Sequence, residues 1–189
     1  MTTTAGGAQV LFDGKPAPII FTSAYQTNVM VPYEVQTSTN IEVTYNGLST
    51  SVWGVPVVPA APAIFTTDAT GTGQGAILNQ DNSLNGLSKP AARGSVIQIY
   101  ATGEGQTSPQ GVTGSVNGTT LKKPVLPVTV SIGGIDAVVQ YAGSAPGEVS
   151  GLLQVNAVVP QAVTPGSSVP VSLTIGNAPS QTGVTVAIQ

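Results

Sequence analysis

One phrase occurs twice in this chain. Gln26-Thr27-Asn28-Val29-Met30-Val31-Pro32 runs on to Val35, and Gln154-Val155-Asn156-Ala157-Val158-Val159-Pro160 runs on to Val163. Both read Q-x-N-x-x-V-P-x-x-V, at an offset of 128 residues. In the second occurrence Leu153, Val155, Ala157 and Val159 alternate with Gln154, Asn156 and Val158. A period of two is the signature of a half-buried β-strand. Pro160 ends the strand, because proline has no N–H to donate to a ladder.

The flanks repeat as well. Val10–Phe21 parallels Val130–Tyr141, and Val43–Gly47 parallels Leu173–Asn177. The repeating unit exceeds a solenoid repeat, so the expectation is a duplicated small domain. The two copies are unequal. The second has an opening portion, 61–127, ahead of its matching part, whereas the first starts almost at the matching part. A sandwich without its opening strands has unpaired edges and a bare core face. The first copy is therefore expected either to be cut from a longer parent or to be completed by another chain.

Nothing suggests helices. No apolar spacing of i, i+3, i+4, i+7 persists, and 15 prolines and 23 glycines punctuate the 189 residues. Short Val/Ile/Thr/Tyr runs between them predict strands near 9–12, 17–22, 26–31, 40–45 and 51–57. In the second copy strands are predicted near 74–78, 95–101, 128–132, 137–141, 152–159, 169–175 and 183–188, with a long loop over 103–127 that has room for one short strand. Asn46-Gly47 suits a tight hairpin turn. Three prolines within Val55–Ala63 favour an extended linker. The expected organisation is a partial unit over 1–58, a Pro-rich linker over 59–63 and a complete unit over 64–189.

Several phrases carry a family resemblance. They are Gly73–Asn79 (G-Q-G-A-I-L-N), Pro90–Thr102 (P-A-A-R-G-S-V-I-Q-I-Y-A-T), Val130–Ala137 (V-S-I-G-G-I-D-A), Tyr141–Pro146 (Y-A-G-S-A-P) and Gln154–Pro160. In this order they resemble the uncharacterised C-terminal repeat domain of secreted proteins from Solibacter-type acidobacteria. The resemblance implies immunoglobulin-like β-sandwich units beside other extracellular modules, and brings no catalytic residues. The chain departs from that layout by lacking the front half of its first copy.

Composition narrows the chemistry. Histidine and cysteine are absent, which removes Ser–His–Asp and Cys–His catalysis and the usual zinc sites. The carboxylates Asp13, Glu34, Glu42, Asp68, Asp81, Glu104, Asp136 and Glu148 show no sequence pairing that suggests a glycosidase. No enzyme, catalytic residue or cofactor is expected. Charged residues are 7% of the chain, against about 25% in typical domains. With a net charge of −3, nucleic acid is an unsuitable partner, since its affinity comes from Lys and Arg neutralising phosphates. No apolar run approaches the length of a membrane-spanning helix. Met1–Gly7 lacks the features of a signal peptide; the chain is either cytosolic or a mature fragment, and the resemblance favours an extracellular or cell-surface place.

Two sets of residues are candidate sites. Asp81, Ser83 and Asn85, followed by Gly86, resemble the front of a calcium loop, although its twelfth position would be Ala92. The alternative is a plain turn. Trp53, Tyr25 and Tyr33 are candidates for ligand or interface contact, with Trp53 near the linker placed to pack between the units. Tyr141 and Phe21 occupy matching positions, which predicts core packing for both. The functional expectation is a structural or assembly module (spacer, adhesion or fibre-forming element), with a protein partner or self-association through the exposed strand edges of the first copy. The rival is a polysaccharide-binding module.

Overall fold

The computed structural model describes Met1–Gln189 and is all-β, with no helix. The first unit holds β1 (Ala8–Phe12), β2 (Lys15–Pro16), β3 (Ile19–Thr22), β4 (Thr27–Val29), β5 (Ser38–Tyr45), β6 (Leu48–Ser49) and β7 (Trp53–Pro56). The opening portion of the second unit holds β8 (Ala63–Ile64), β9 (Gly73–Gln74), β10 (Ile77–Leu78) and β11 (Val96–Thr102), then β12 (Thr107–Ser108) and β13 (Lys123–Pro124). Its remainder holds β14 (Val128–Ile132), β15 (Ile135–Ser144), β16 (Leu153–Val158), β17 (Gly166–Ile175), β18 (Ala178–Pro179) and β19 (Val184–Ile188).

The pairing of β1–β7 repeats that of β14–β19 residue by residue. Val10 faces Val43 across β1 and β5, and Val130 faces Leu173 across β14 and β17. Thr44 pairs with Ser49 and Thr174 with Pro179. Thr39 pairs with Val55 and Val169 with Val186. Even the irregularity recurs: the register slips between Ile19 and Phe21 opposite β4, and between Val139 and Tyr141 opposite β16. Such a slip is a β-bulge, an extra residue that bends its strand. Met30 also corresponds to Val158, because its N–H donates to the Pro18 carbonyl where Val158 pairs with Val138.

The turns follow the same plan. Asp13-Gly14 and Gly133-Gly134 each join a hairpin through two residues of positive φ, 50° and 78° in one, 60° and 80° in the other. That conformation is what a two-residue hairpin of this hand requires. Asp13 bears the strain of a side chain there, and its carboxylate compensates by accepting from Asn40 N at 2.9 Å and Thr39 Oγ1 at 2.7 Å. Asn46-Gly47 takes the expected turn, with φ of 48° and 81°.

The difference lies in what covers the shared framework. In the second unit a single sheet runs β10-β11-β16-β15-β14-β17-β19-β9. Its two ends, β9 and β10, are successive pieces of Gly73–Leu78, so the sheet curls back on itself. Inside it sits one cluster of 21 buried apolar residues, with Ile64, Ile77, Ile97 and Ile99 from the opening portion against Val155, Ala157, Leu173, Ile175 and Val184. The first unit has nothing equivalent to β8–β11. Its sheet is β2-β1-β5-β6 with β7 on β5, β3 and β4 form a separate pair, and its buried apolar cluster is Val10, Phe12 and Ala17.

Some expectations need correction. The strand expected over 17–22 starts only at Ile19, after Pro18, which has no N–H for the ladder. The strand expected over 26–31 shortens to β4, which has a partner on one edge alone. The long 103–127 loop contains a small antiparallel pair, β12 with β13. The 59–63 segment is extended but packed: Ala60 is buried, and Ala61 N donates to the Gly103 carbonyl at 3.0 Å. A Cβ on Gly103 would collide with the Ala61 carbonyl, so glycine is needed at that crossing.

Candidate interaction site

Two surfaces of the first unit stand out, one closed and one open. The closed one is the seam with loop 103–115. Tyr33, one of the candidate interface residues, is its anchor. Its N–H donates to Thr113 Oγ1 at 3.0 Å, its carbonyl accepts from Gln106 Nε2 at 2.7 Å, and its hydroxyl donates to Glu104 Oε1 at 2.9 Å. The phenol ring lies against Gly111, where any Cβ would strike it. Beside it Thr113 Oγ1 donates to Glu34 Oε2 at 2.8 Å, and Gly114 N contacts Met30 Sδ at 3.2 Å.

Glu104 is the electrostatic centre of this seam. It is 3% exposed, and its Oε2 is a buried side-chain oxygen without a hydrogen-bond partner. Burial pushes its pKa above the ordinary carboxylate range, while the Tyr33 hydroxyl and the Lys122 charge pull the other way. Burial and the neighbouring Glu104 charge likewise push the Tyr33 phenol well above its usual value. Sequence reading places Glu104 only among unpaired carboxylates and passes over Gln106, Gly111 and Thr113. The available signal is a lone acid between two glycines, Gly103-Glu104-Gly105, in a nearly uncharged loop.

The open surface is one end of the inner face of the β1–β5–β7 sheet; at the other end Val10 and Phe12 are buried against Val29, Val35 and Ile41. Cross-strand pairing puts Val10 beside Val43, Ile41 beside Trp53, and Tyr45 beside Leu48, so these side chains share one face. Trp53 is 70% exposed and Tyr45 58%, with Val43 and Leu48 also exposed. Their counterparts Val184, Ile175 and Leu173 are buried in the second unit. Trp53 therefore does not pack between the units, and Phe21 is half exposed rather than in the core. Trp53 stands open because the first unit has nothing equivalent to β8–β11 opposite it, whereas Phe21 and its counterpart Tyr141 pair with Asn28 and Asn156, on the side away from the buried residues, and Tyr141 too is only partly buried. Tyr25 is fully exposed at the turn between β3 and β4. β4 also has a free outer edge, where its counterpart β16 is paired with β11.

The Asp81 loop is a turn rather than a ring of ligands. Asp81 Oδ1 accepts from Ser83 N at 2.9 Å and Ser83 Oγ at 2.6 Å, an Asx-type turn. Asn85 points the other way and is buried. Its amide nitrogen donates to Asn79 Oδ1 and to the Ala187 carbonyl, each at 2.9 Å. Its Oδ1 accepts from Ala187 N at 2.8 Å, so the side chain clamps β19. Asp81, Ser83 and Asn85 thus do not converge on one point. No group of three or more Asp and Glu side chains is arranged to hold a metal ion. Comparison with protein-family models, with curated proteins and with solved structures finds no match.

Proposed function

We propose that this chain is a non-enzymatic structural and assembly module of an extracellular or cell-surface protein, built from two immunoglobulin-like units. The first unit is the interactive one. The observation that carries this reading is the register-for-register repeat in which one copy is covered by a large core and the other, around a small core, leaves Val43, Tyr45, Leu48 and Trp53 exposed. Exposed apolar faces and free strand edges are attachment points for other polypeptides. The resemblance to secreted acidobacterial repeat domains supports the same reading. Sedimentation over a wide concentration range, with hydrogen exchange on the first unit, tests it. Association that protects β4 and β7 is expected. A monomer at high concentration, with both units already fully protected, would refute it.

The polysaccharide-binding reading rests on Trp53 and Tyr45 sharing the open face, with Tyr25 also exposed. Aromatic faces of this kind can stack on sugar rings. Glycan binding lost on Trp53→Ala would favour it over protein assembly.

A further inference from the structure

The repeated Q-x-N phrase does more than mark a strand. In the second unit Gln154 Nε2 donates to Asn156 Oδ1 at 2.9 Å and also reaches Gln98 Oε1 on β11 at 3.4 Å. Gln98 in turn donates to Asn82 Oδ1 at 2.8 Å. The phrase thus forms two rungs of an amide ladder, and the incoming opening strand supplies the third. On the opposite face of β11, Ile97 and Ile99 are fully buried and pair with Ala157 and Val155. The first unit keeps the first two rungs. Gln26 Nε2 donates to Asn28 Oδ1 at 2.6 Å, and both side chains are exposed. No strand pairs beyond them.

We infer that the outer edge of β4 is a docking site for one antiparallel β-strand of another polypeptide, read by its side-chain pattern. The register of β11 on β16 fixes that pattern. Gln26, Thr27, Asn28 and Val29 stand where Gln154, Val155, Asn156 and Ala157 meet Tyr100, Ile99, Gln98 and Ile97. The partner strand therefore places β-branched apolar residues opposite Val29 and Thr27, a glutamine opposite Asn28 and an aromatic residue opposite Gln26. Main-chain bonds along an edge supply affinity, and alternate side chains supply selectivity. Among residues 1–189 the segment of this pattern, β11, is already committed and does not fill the β4 edge. It is paired with β16 on one edge and with β8 and β10 on the other. This inference rests on the assembly reading above and names its partner.

A synthetic peptide with the sequence of Gly94–Thr102 is the probe, titrated onto the full chain and followed by NMR at Thr27–Val29. Saturable binding is expected, with shifts centred on β4. Replacing the peptide's glutamine by leucine, or Asn28→Leu in the chain, should weaken binding about tenfold, a difference of about 1.4 kcal/mol. The peptide substitution leaves the chain untouched, so misfolding cannot imitate the result. No binding at about 1 mM, the weak end of measurable affinity, or equal binding of a scrambled peptide, would overturn the inference. So would a longer natural polypeptide that fills the edge with its own strand and excludes the peptide. Self-association without peptide binding would sink this inference alone; peptide binding by a chain that engages no protein in assembly would sink the broader reading.

Discussion

Val43 and Leu173 occupy the same place in two copies of one framework, yet the first is exposed and the second is fully buried. The same contrast separates Tyr45 from Ile175 and Trp53 from Val184. Strand order, register, hairpin turn and bulge are common to both copies. Cover is not. The shared framework therefore accompanies a small core as well as a large one, and the depth of that core follows the strands supplied from outside the repeated segment.

The largest expected effect follows directly. Leu173→Ala opens a cavity in a sealed core and should cost about 3 kcal/mol of unfolding free energy, within the range for such truncations. Val43→Ala, at the matching position, should cost under about 1 kcal/mol, because solvent already reaches that side chain. Denaturant melts of the two variants measure the gap. Equal losses would mean that the first unit is covered in solution and would break the comparison.

A smaller effect belongs to the seam. Tyr33→Phe removes the hydrogen bond to Glu104 and leaves that carboxylate buried with neither oxygen satisfied. The loss should be about 1–3 kcal/mol of docking between the units. It should appear as faster hydrogen exchange in loop 103–115 and around Met30, with the β14–β17 pairing unaffected. The counterpart of Tyr33 is Gln161, an exposed residue, so Gln161→Ala should leave the second unit's stability nearly unchanged.

The smallest effects are in pH, and two carboxylates give them opposite signs. Burial raises Glu104's pKa, so the folded state holds its proton more tightly than the unfolded chain does. Its contribution to stability is fully present below the ordinary carboxylate range and is lost as pH rises through the raised folded value. Asp13 is the reverse. The Asn40 N–H and the Thr39 hydroxyl lower its pKa, so its contribution is present above the ordinary range and is lost as pH falls through the lowered value. Mild acid should therefore slow exchange at the seam, and stronger acid should loosen the β1–β5 hairpin region. Glu104→Gln should abolish the first response without touching the second.

Much of the framework was legible because period-two patterning and turn chemistry are local. Val10–Phe12, Leu153–Val158 and Asn46-Gly47 announce their strands and turn from neighbours alone. The seam was not legible. Glu104, Gln106, Gly111 and Thr113 lie about 70–80 positions from the residues they meet, and none belongs to a periodic run. The placing of Trp53 failed for a related reason. Alternation says which face a side chain takes, but not whether anything stands opposite that face.

The amino-acid sequence by itself determined an all-β chain, a duplication offset by about the length of a domain, and the exclusion of histidine and cysteine chemistry. Those are properties of composition and of short-range order. Tertiary structure alone decided that Asn85 serves β19 rather than a cation, that Tyr33 rests on a buried acid, and that Trp53 stands in the open. Each depends on which distant segment arrives to desolvate a side chain, and desolvation is a property of three-dimensional neighbours, not of adjacent letters.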